Sequence, residues 1–518
     1  MEQAGEKPPE RTLGTIFEAP PDEGRAALDR GLADAEAELH RALEEPRISH
    51  DREYLARCWL GLVLIAGSLR FAEPALLDRA IDELTPVRRL IAEGYASVRR
   101  GDILEKLSEA HLRRSRRGGP QRTADLRATL EIAHQALTEL AADVLLQLGA
   151  EHGLVVARDG AVLGRRLAYG VIWLSGRPDE AVRSLELGRA MVLRAAAASR
   201  SVPDLLAAGG HSELARRWRA QAATAPPDAA GPRMTGALRR MALNALGARG
   251  DGAGVEAVLG VPDVAELAAG LAATATDALV YLVPGQGLKY FAPGFALIVR
   301  PGHARPQVLP LPQLLGTGSA PLERYLEAAA ERSRTAVDPA LDPIWQAERR
   351  WPAALAELCD WAWEAAVGPL VDALGSSGRP PRIVLAPCGP LGAVAWHAAR
   401  RPQPSGGPGH RFACQDAVFS YAPSGAQFLR AAGRRRLPAT GRQVLVADPD
   451  LTLLWAETET ETDALRAACY PGALRYGAFL TSDEPVDAVG SPDDLLAVLP
   501  GGDTQHPSCT SPATPWPA

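Results

Sequence analysis

The side chains of this sequence best suited to nucleophilic chemistry are cysteines and histidines in its last third. Cys388 directly follows the apolar run at residues 383–386, and His506 and Cys509 lie three positions apart. An adjacent imidazole helps to generate or hold a cysteine thiolate, and the thiolate attacks a carbonyl carbon. Such a pair reacts only when it is held in fixed geometry, so the elements that position each residue decide its role.

The local sequence around each candidate favours a structural role. Cys388 lies between two prolines in a predicted tight turn and has no assignable base. His506 and Cys509 lie in a segment rich in Pro, Ser and Thr, and a flexible segment does not align a base with a nucleophile. Ser424 follows a proline and lacks the G-x-S-x-G pattern of a nucleophile elbow. We therefore predict that Ser424 caps a helix.

Length and composition exclude several classes of protein. A chain of 518 residues has room for about two to four domains. Its 47% hydrophobic and 23% charged residues are typical of a globular protein. A net charge of −6 argues against binding of nucleic acid through phosphate contacts. The arginine clusters are accordingly predicted to be solvated faces, and they are Arg113, Arg114, Arg116, Arg117 and Arg434–Arg436.

The sequence gives no sign of a metal site, a cofactor site or a membrane segment. Six scattered cysteines without CxxC pairs indicate reduced thiols in a cytoplasmic protein. Residues 285–287 are interpreted as a turn, because no GK[ST] follows to make a phosphate loop. The charged first ten residues lack the apolar core of a signal peptide. The longest apolar run, residues 59–66, is far shorter than the roughly 20 residues of a spanning helix.

Residues 25–219 carry the three- and four-residue apolar spacing of amphipathic helices. Within them, residues 176–182 form a clear helix start, with a glycine turn, a proline and two acids in the first turn. This segment resembles the second helix of a TPR unit, and the same sequence pattern recurs less clearly at residues 71–84 and 123–137. Paired TPR-like helices are predicted, with an irregular helical bundle as the alternative. Residues 1–24 are predicted to be a flexible N-terminus.

The pattern changes to alternating strands and helices after residue 276. Two apolar runs around a glycine turn, residues 278–283 and 294–299, predict a β-hairpin. Residues 443–447 form an apolar run typical of a strand buried on both faces of a parallel sheet. Further strands are predicted at residues 383–386, 417–421 and 473–476, and helices at 322–330, 353–370, 424–432, 457–469 and 495–499.

A series of short motifs runs through this α/β region. It comprises the apolar run at 383–386, Pro-Cys-Gly-Pro-Leu-Gly at 387–392, Trp-His-Ala-Ala-Arg at 396–400 and Ser-Tyr-Ala-Pro-Ser at 420–424. The series resembles the front part of a CHAT domain, a caspase-like cysteine-peptidase module usually found behind TPR repeats. The resemblance covers residues 277–500 and implies that His397 belongs to a non-catalytic half of the domain, with a packing or hydrogen-bonding role.

The resemblance also implies a catalytic unit of strand, helix, strand and helix, followed by a histidine-bearing and a cysteine-bearing strand. The first four elements lie within residues 441–502. No apolar run precedes His506, and Pro507 would deny a central strand a hydrogen bond. We therefore predict that residues 503–518 are a disordered tail, that the chain is truncated and that it contains no catalytic residue. An unpaired edge beside residues 444–447 would then lower solubility.

The predicted fold is α + α/β, with TPR-like helices followed by a partial caspase-like CHAT domain. The predicted domains are residues 25–220 for the helices, 221–276 for a linker, 277–440 for the non-catalytic half and 441–502 for the start of the catalytic unit. Three functions remain open. The chain is a peptidase-inactive CHAT protein that binds a protein partner through its helices, an active cysteine endopeptidase using Cys388 or Cys509, or an adaptor whose α/β part is only structural.

Overall fold

The structure is a computed structural model of the chain. It describes residues 8–44, 50–93, 100–146, 150–189, 191, 202–223, 238, 241–242, 245–246, 260–286, 293–337, 344–375, 378–403, 409–434, 443–447, 455–479, 485–498 and 504–508.

The N-terminal part of the molecule is helical, as predicted. Its helices are α1 (Pro8–Glu18), α2 (Pro21–Glu44), α3 (His50–Phe71), α4 (Pro74–Ala92), α5 (Arg100–Ser115), α6 (Arg122–Leu146), α7 (Ala150–Ser175), α8 (Pro178–Gly188), α9 (Val202–Ala208) and α10 (Ser212–Ala223). From α1 to α8 each helix packs against the next, which is consistent with TPR-like repeats. The predicted helix start at Pro178 is confirmed, with Asp179 and Glu180 in the first turn of α8.

Helix α1 corrects the prediction of a flexible N-terminus for residues 8–18, whereas residues 1–7 lie outside the described residues. Its sequence begins with two prolines, which the first turn of a helix tolerates because the N–H groups there have no partner within the helix. Ile16 is fully buried against a cluster that includes Leu28 of α2 and Val63 of α3. Leu13 packs against the same cluster. Two buried or partly buried apolar residues in a short helix are a weak signal in the sequence.

One of the described helices, α3, is long and apolar enough to cross a membrane by length and composition. Buried residues make up 56% of its most apolar window. A core helix of a globular protein satisfies the same criteria, and α3 packs between α2 and α4.

The C-terminal part mixes strands and helices. Its elements are α11 (Val264–Ala273), β1 (Ala278–Val283), β2 (Gly285–Gln286), β3 (Gly294–Val299), β4 (Gln307–Leu311), β5 (Leu315–Thr317), α12 (Ala320–Val337), α13 (Ile344–Ala362), α14 (Gly368–Leu374), β6 (Arg382–Pro387), β7 (Arg400–Pro402), β8 (His410–Phe412), β9 (Val418–Tyr421), α15 (Gly425–Ala432), β10 (Gln443–Ala447), α16 (Trp455–Cys469), β11 (Leu474–Gly477), α17 (Pro492–Val498) and β12 (Thr504–Ser508). The α + α/β fold class is therefore as predicted.

The first sheet has five strands in the order β4-β3-β1-β6-β9. Strands β1 and β3 form the predicted antiparallel hairpin, while β1 with β6 and β6 with β9 run parallel. Every residue of β1 and β3 is buried. Burial of every residue requires packed layers on both faces of the sheet, because successive side chains of a strand point to opposite faces.

The two faces of the first sheet pack against different parts of the chain. Val280 and Leu282 of β1 share a core with α13 and α14, through residues such as Leu358 and Leu370. Leu279 and its neighbours on the opposite face belong to one continuous core that extends back through the N-terminal helices. The helical region and the first sheet therefore share a hydrophobic core.

The second sheet has three parallel strands in the order β11-β10-β12. Strand β12 corrects the prediction that no strand follows residue 502. Pro507 lies opposite Val446 of β10, and within the described residues β12 pairs with β10 alone, so the proline occupies an edge strand. Edge strands tolerate proline because one side of the strand needs no ladder hydrogen bond.

The same pairing corrects the predicted exposure of β10. Residues 444–447 are buried and lie between β11 and β12, so they form the centre of this sheet. The expectation of low solubility, which rested on an unpaired edge at this strand, loses that basis.

Candidate functional site

In open α/β sheets, ligands and catalytic groups gather at the carboxyl ends of parallel strands. Among the described residues, the two largest sheets each have such an edge. One follows β6 and β9 of the first sheet and contains Cys388 and Ser424, whereas the other follows β10, β11 and β12 of the second sheet.

Cys388 lies at the carboxyl end of β6 and is fully buried. Its backbone N–H donates to the carbonyl of Leu282, 2.9 Å away, which holds the turn against β1. Its sulfur lies 3.0 Å from Nη1 of Arg189, which also donates to the carbonyl of Pro387 at 2.9 Å. The polar partner of this thiol is thus a guanidinium from the helical region.

Glu186 extends from α8 into the N-terminus of α15. Its carboxylate accepts hydrogen bonds from the backbone N–H groups of Gly425 (2.6 Å) and Ala426 (2.9 Å) and from the hydroxyl of Tyr281 (2.8 Å). The side chain is fully buried. An anion at this position satisfies two N–H groups that a helix leaves unpaired and complements the helix dipole.

Ser424 forms a second cap on the same helix. Its hydroxyl accepts from the N–H of Gln427 at 3.3 Å, which confirms the prediction of a helix cap. The carbonyl just before it, that of Pro423, accepts a 2.7 Å hydrogen bond from Nε of Arg189. The start of α15 is therefore held both by its own serine and by two charged residues of the helical region.

Close packing between α7 and α8 brings these charged residues to the sheet. A Cβ atom at Gly188 would lie 2.7 Å from the carbonyl oxygen of Gly160, so only glycine allows the two helices to approach this far. Arg165 of α7 then lies near Arg189, and its guanidinium rests against Gly389 at the start of the turn after β6.

His397 forms a pair with Tyr421 at the end of β9. The tyrosine hydroxyl lies 2.9 Å from Nδ1 of His397 and accepts from its backbone N–H at 3.1 Å. Burial raises the pKa of Tyr421, and the N–H groups of His397 and Trp396 only partly oppose this. The hydrogen-bonding role predicted for His397 agrees with this contact.

The second sheet contains the remaining predicted candidate that the structure describes. His506 lies on β12 at the register position opposite Leu445 of β10. Cys509 lies outside the described residues. The structure therefore places His506 within a sheet but does not test whether the two residues pair, and the absence of a catalytic assignment stays a prediction.

The other described cysteines lie in varied surroundings. Cys58 is buried, and burial raises the pKa of its thiol to about 12 despite a hydrogen bond with Tyr54. Burial also raises the pKa of Cys359, while Cys414 and Cys469 are exposed. In the part of the chain that the structure describes, no cysteine forms a hydrogen bond with a histidine.

No group of three or more metal-ligating side chains occurs among the described residues.

The first arginine cluster is not simply a solvated face, which corrects the prediction. Arg114 forms a two-pronged ion pair with the buried Asp125, and His111 contacts the same carboxylate at 2.8 Å. Arg113 pairs with Glu109 on the same helix. Arg114 therefore holds α5 against α6, whereas the pair of Arg113 lies within α5. Arg434 is exposed, whereas residues 435–436 lie outside the described residues.

The predicted turn at residues 285–287 is in part a short strand. Gly285 and Gln286 form β2, which pairs with β5, and residue 287 lies outside the described part.

Sequence reasoning missed the charged residues that join the two regions. Glu186 lies on α8 and Arg189 directly follows that helix, whose other residues are largely apolar and buried. A carboxylate among buried aliphatic residues is an available signal, because buried charges are normally paired. Their partners could not be identified from the sequence, since Gly425 lies 239 positions away from Glu186.

Comparison with known families gives one match. Residues 356–507 match the family model of the CHAT domain. The matched range begins within α13 and extends into β12, so it includes β6, β9 and the whole second sheet. No curated protein matches the chain.

Proposed function

Because this chain carries a CHAT domain, a module of the caspase-like family, we propose that it acts by binding a protein partner through its helical region and not by cleaving peptides. The observation that carries the proposal is the surroundings of the thiols. Among the described residues no cysteine forms a hydrogen bond with a histidine, and Cys388 is bound by a guanidinium. A caspase-like nucleophile requires a histidine to generate its thiolate.

The shared core supports a role for the helices that reaches the CHAT domain. Tyr169 of α7 packs on Phe295 of β3 with ring centroids 5.8 Å apart, and Glu186 and Arg189 bind the loops after β6 and β9. A partner that shifts α7 or α8 would therefore shift groups that hold the first sheet. Coupling of this kind needs an element shared by both sites, and these two helices are such an element.

A second candidate function is that of an active cysteine endopeptidase. The observation in its favour is β12, which lies beside β10 where the family resemblance expects the histidine-bearing strand, and which contains His506. The nucleophile in this case would be Cys509.

Labelling with thiol-reactive activity probes distinguishes the two functions. We expect the full chain to show no saturable labelling of a single cysteine near neutral pH. Three variants are labelled in parallel with the wild-type chain, namely Cys509→Ala, Cys388→Ala and His506→Ala. Saturable labelling that Cys509→Ala and His506→Ala both abolish, and Cys388→Ala leaves intact, would establish the peptidase instead.

Site-specific photo-crosslinking in host cells tests the partner. Lysine-directed reagents are unsuitable because the chain has only three lysines, Lys7, Lys106 and Lys289. A photoreactive residue is placed in the helical region at Phe17, Leu55 or Trp173, which are 47%, 49% and 51% exposed, and in the CHAT domain at Val418, which is 50% exposed. One discrete crosslinked protein from a helical position, absent from Val418, is expected. Crosslinks from Val418 alone would contradict the proposal.

A further inference from the structure

Two arginines of the helical region converge on the turn after β6. Arg165 belongs to α7, and Arg189 follows α8. The guanidinium of Arg165 lies against Gly389, and that of Arg189 contacts Pro387 and Cys388, so both groups meet three consecutive residues of this turn. The third member of the group is the thiol of Cys388. A pair of cations at the carboxyl end of parallel strands occupies the position where such sheets bind ligands.

The guanidinium of Arg165 lies directly against the backbone of Gly389. A Cβ atom added there would be 2.9 Å from Nη1, 3.0 Å from Cζ and 3.4 Å from Nη2. Gly389 also has a φ of +59°, which favours glycine on its own account. The turn after β6 is therefore shaped to accept a planar cation.

Arg165 is partly buried and yet lacks an anionic partner. Within the described residues it forms no hydrogen bond and no ion pair with a carboxylate. Burial and the nearby charge of Arg189 both lower its pKa, and Cys388 is the only group acting in the opposite direction. A charge withdrawn from water is normally paired, so a guanidinium in this state favours an incoming anion.

No described carboxylate near Arg189 neutralises the charge of Arg165. Arg189 is itself a cation, and the nearest acid on α8, Glu186, binds other donors. Two nitrogens of Arg189 donate to neutral carbonyl groups, those of Pro387 and Pro423. The carboxylate of Glu186 already accepts from three donors at the start of α15.

We propose that Arg165 and Arg189 form a binding site for a phosphate group, as inorganic phosphate or a small phosphate monoester, at the junction of the helical region and the first sheet. Two guanidinium groups match the double negative charge and the several acceptor oxygens of phosphate. The ligand would bridge α7, α8 and the turn after β6. This inference does not depend on whether the CHAT domain is catalytic.

Thermal unfolding of the full chain with inorganic phosphate tests the site, with ionic strength kept constant by potassium chloride. We expect a saturable rise in melting temperature, because a ligand bound by the native state stabilises it by mass action. Arg165→Gln should weaken apparent phosphate affinity by about tenfold or more, since it removes a charge-assisted two-pronged contact. Arg166→Gln is the matched control, because the neighbouring Arg166 is exposed and pairs with Glu105. Phenyl phosphate in place of inorganic phosphate shows whether an ester enters.

Further variants make the result decisive. Arg165→Lys keeps the charge but loses the planar fork, so it should bind phosphate more weakly than the wild type while folding normally by circular dichroism. Equal phosphate affinity in Arg165→Gln and Arg166→Gln would overturn the proposal. So would phosphate binding that appears only in Cys388→Ser, since this would show that the Cys388 thiolate already neutralises the two arginines.

Discussion

The two sheets of this protein are stabilised by different kinds of interaction. In the first sheet, β1 and β3 are apolar along their whole length and are packed on both faces. In the second, only β10 is largely apolar and buried, from Val444 to Ala447, and its neighbours have the sequences Leu-Arg-Tyr-Gly and Thr-Gln-His-Pro-Ser. Non-directional burial of apolar surface organises the first sheet, whereas the second also depends on specific polar contacts.

Arg475 shows what these polar contacts are. It lies on β11 and is among the most buried side chains of the molecule. Its guanidinium lies 3.9 Å from the ring centroid of Phe479 and 3.2 Å from the carboxylate of Asp463, while Asp487 binds its backbone N–H at 2.7 Å. The helix that covers this sheet, α16, also buries polar residues, among them Thr458 and Thr462. Truncation of apolar residues should therefore affect the two sheets differently.

The largest expected effect separates the two cores directly. Leu385 in β6 and Leu445 in β10 are both buried leucines of central strands. We expect Leu385→Ala to lower the free energy of unfolding by about 4 kcal/mol and Leu445→Ala by about 2 kcal/mol, within the range known for buried leucines. The first site has apolar layers on both faces and cannot collapse to fill the cavity. Urea unfolding monitored by circular dichroism measures both values, and equal losses would remove the distinction between the sheets.

A backbone substitution should disrupt the second sheet alone. Gly477 at the end of β11 has a φ of +103°, and a Cβ atom there would overlap the carbonyl group of Ala447. Gly477→Ala is expected to lower stability by about 3 kcal/mol. Hydrogen exchange should show lost protection in β10 and β11 but not in β1 or β6. Gly472→Ala, where an added methyl group meets no atom within 4 Å, is the control. Loss of protection across both sheets would show that they unfold as one unit.

Removing the charge of Glu186 tests how the first sheet is joined to the helices. Glu186→Gln keeps the shape of the side chain but weakens two hydrogen bonds, so we expect a loss of about 2 kcal/mol. The exchange rates of the amides of Gly425 and Ala426 should rise with it, because these two N–H groups donate to the carboxylate. Glu180→Gln on the same helix, a residue whose ion pair with Arg177 is exposed, should leave both amides protected. If hydrogen exchange at these two amides is unchanged in Glu186→Gln, the contact between Glu186 and the start of α15 does not contribute to stability.

The smallest expected effect is a change in how stability depends on pH. It concerns Asp277, which directly precedes β1 and accepts a hydrogen bond from Arg382 at the start of β6. Burial opposes ionisation of Asp277, yet the N–H of Arg382 and the guanidinium of Arg379 outweigh it and lower the pKa of Asp277. A carboxyl group with a depressed pKa stabilises the fold above its unfolded pKa of about 4, and this contribution disappears as the pH falls through the lower folded value.

Asp277→Asn should therefore lower stability near neutral pH by about 1 kcal/mol and flatten the loss of stability below about pH 4. Urea midpoints measured between about pH 3 and pH 6 give both quantities. Asp204→Asn is the control, because Asp204 is a well-exposed acid that pairs with Arg219. A pH dependence identical to that of the wild type would exclude a role for Asp277.

The same difference between the sheets determines which strands could be predicted from the sequence. Strands β1, β3, β6 and β10 are apolar runs, and each was predicted because burial on both faces leaves a plain signal. Strand β12 contains no aliphatic residue, so the pattern at residues 504–508 resembled a tail. The helix starts at Pro178 and after Ser424 were predictable for a related reason, since caps depend on residues next to one another in the chain.

The candidate sites were less predictable, because their residues come together only in the folded chain. The proline next to Cys388 was visible in the sequence, but the approach of Arg189 was not, since the two residues lie 199 positions apart. His397 was placed correctly in a hydrogen-bonding role only through the family resemblance. The partner predicted for the helices, the domain boundaries and the role of His506 stay predictions.

The position of Glu186 on α8, with Arg189 directly after the helix, bears on how such a protein can arise by gene fusion. A recombination event within the connection between α10 and α11 would give the CHAT domain a new set of helices. The first sheet would then lose the carboxylate at the start of α15, the guanidinium beside Cys388 and the cover over Leu279. We therefore expect such an exchange to give a stable protein only if α7 and α8 are retained together with the first sheet, although both helices precede the matched residues 356–507 in the chain.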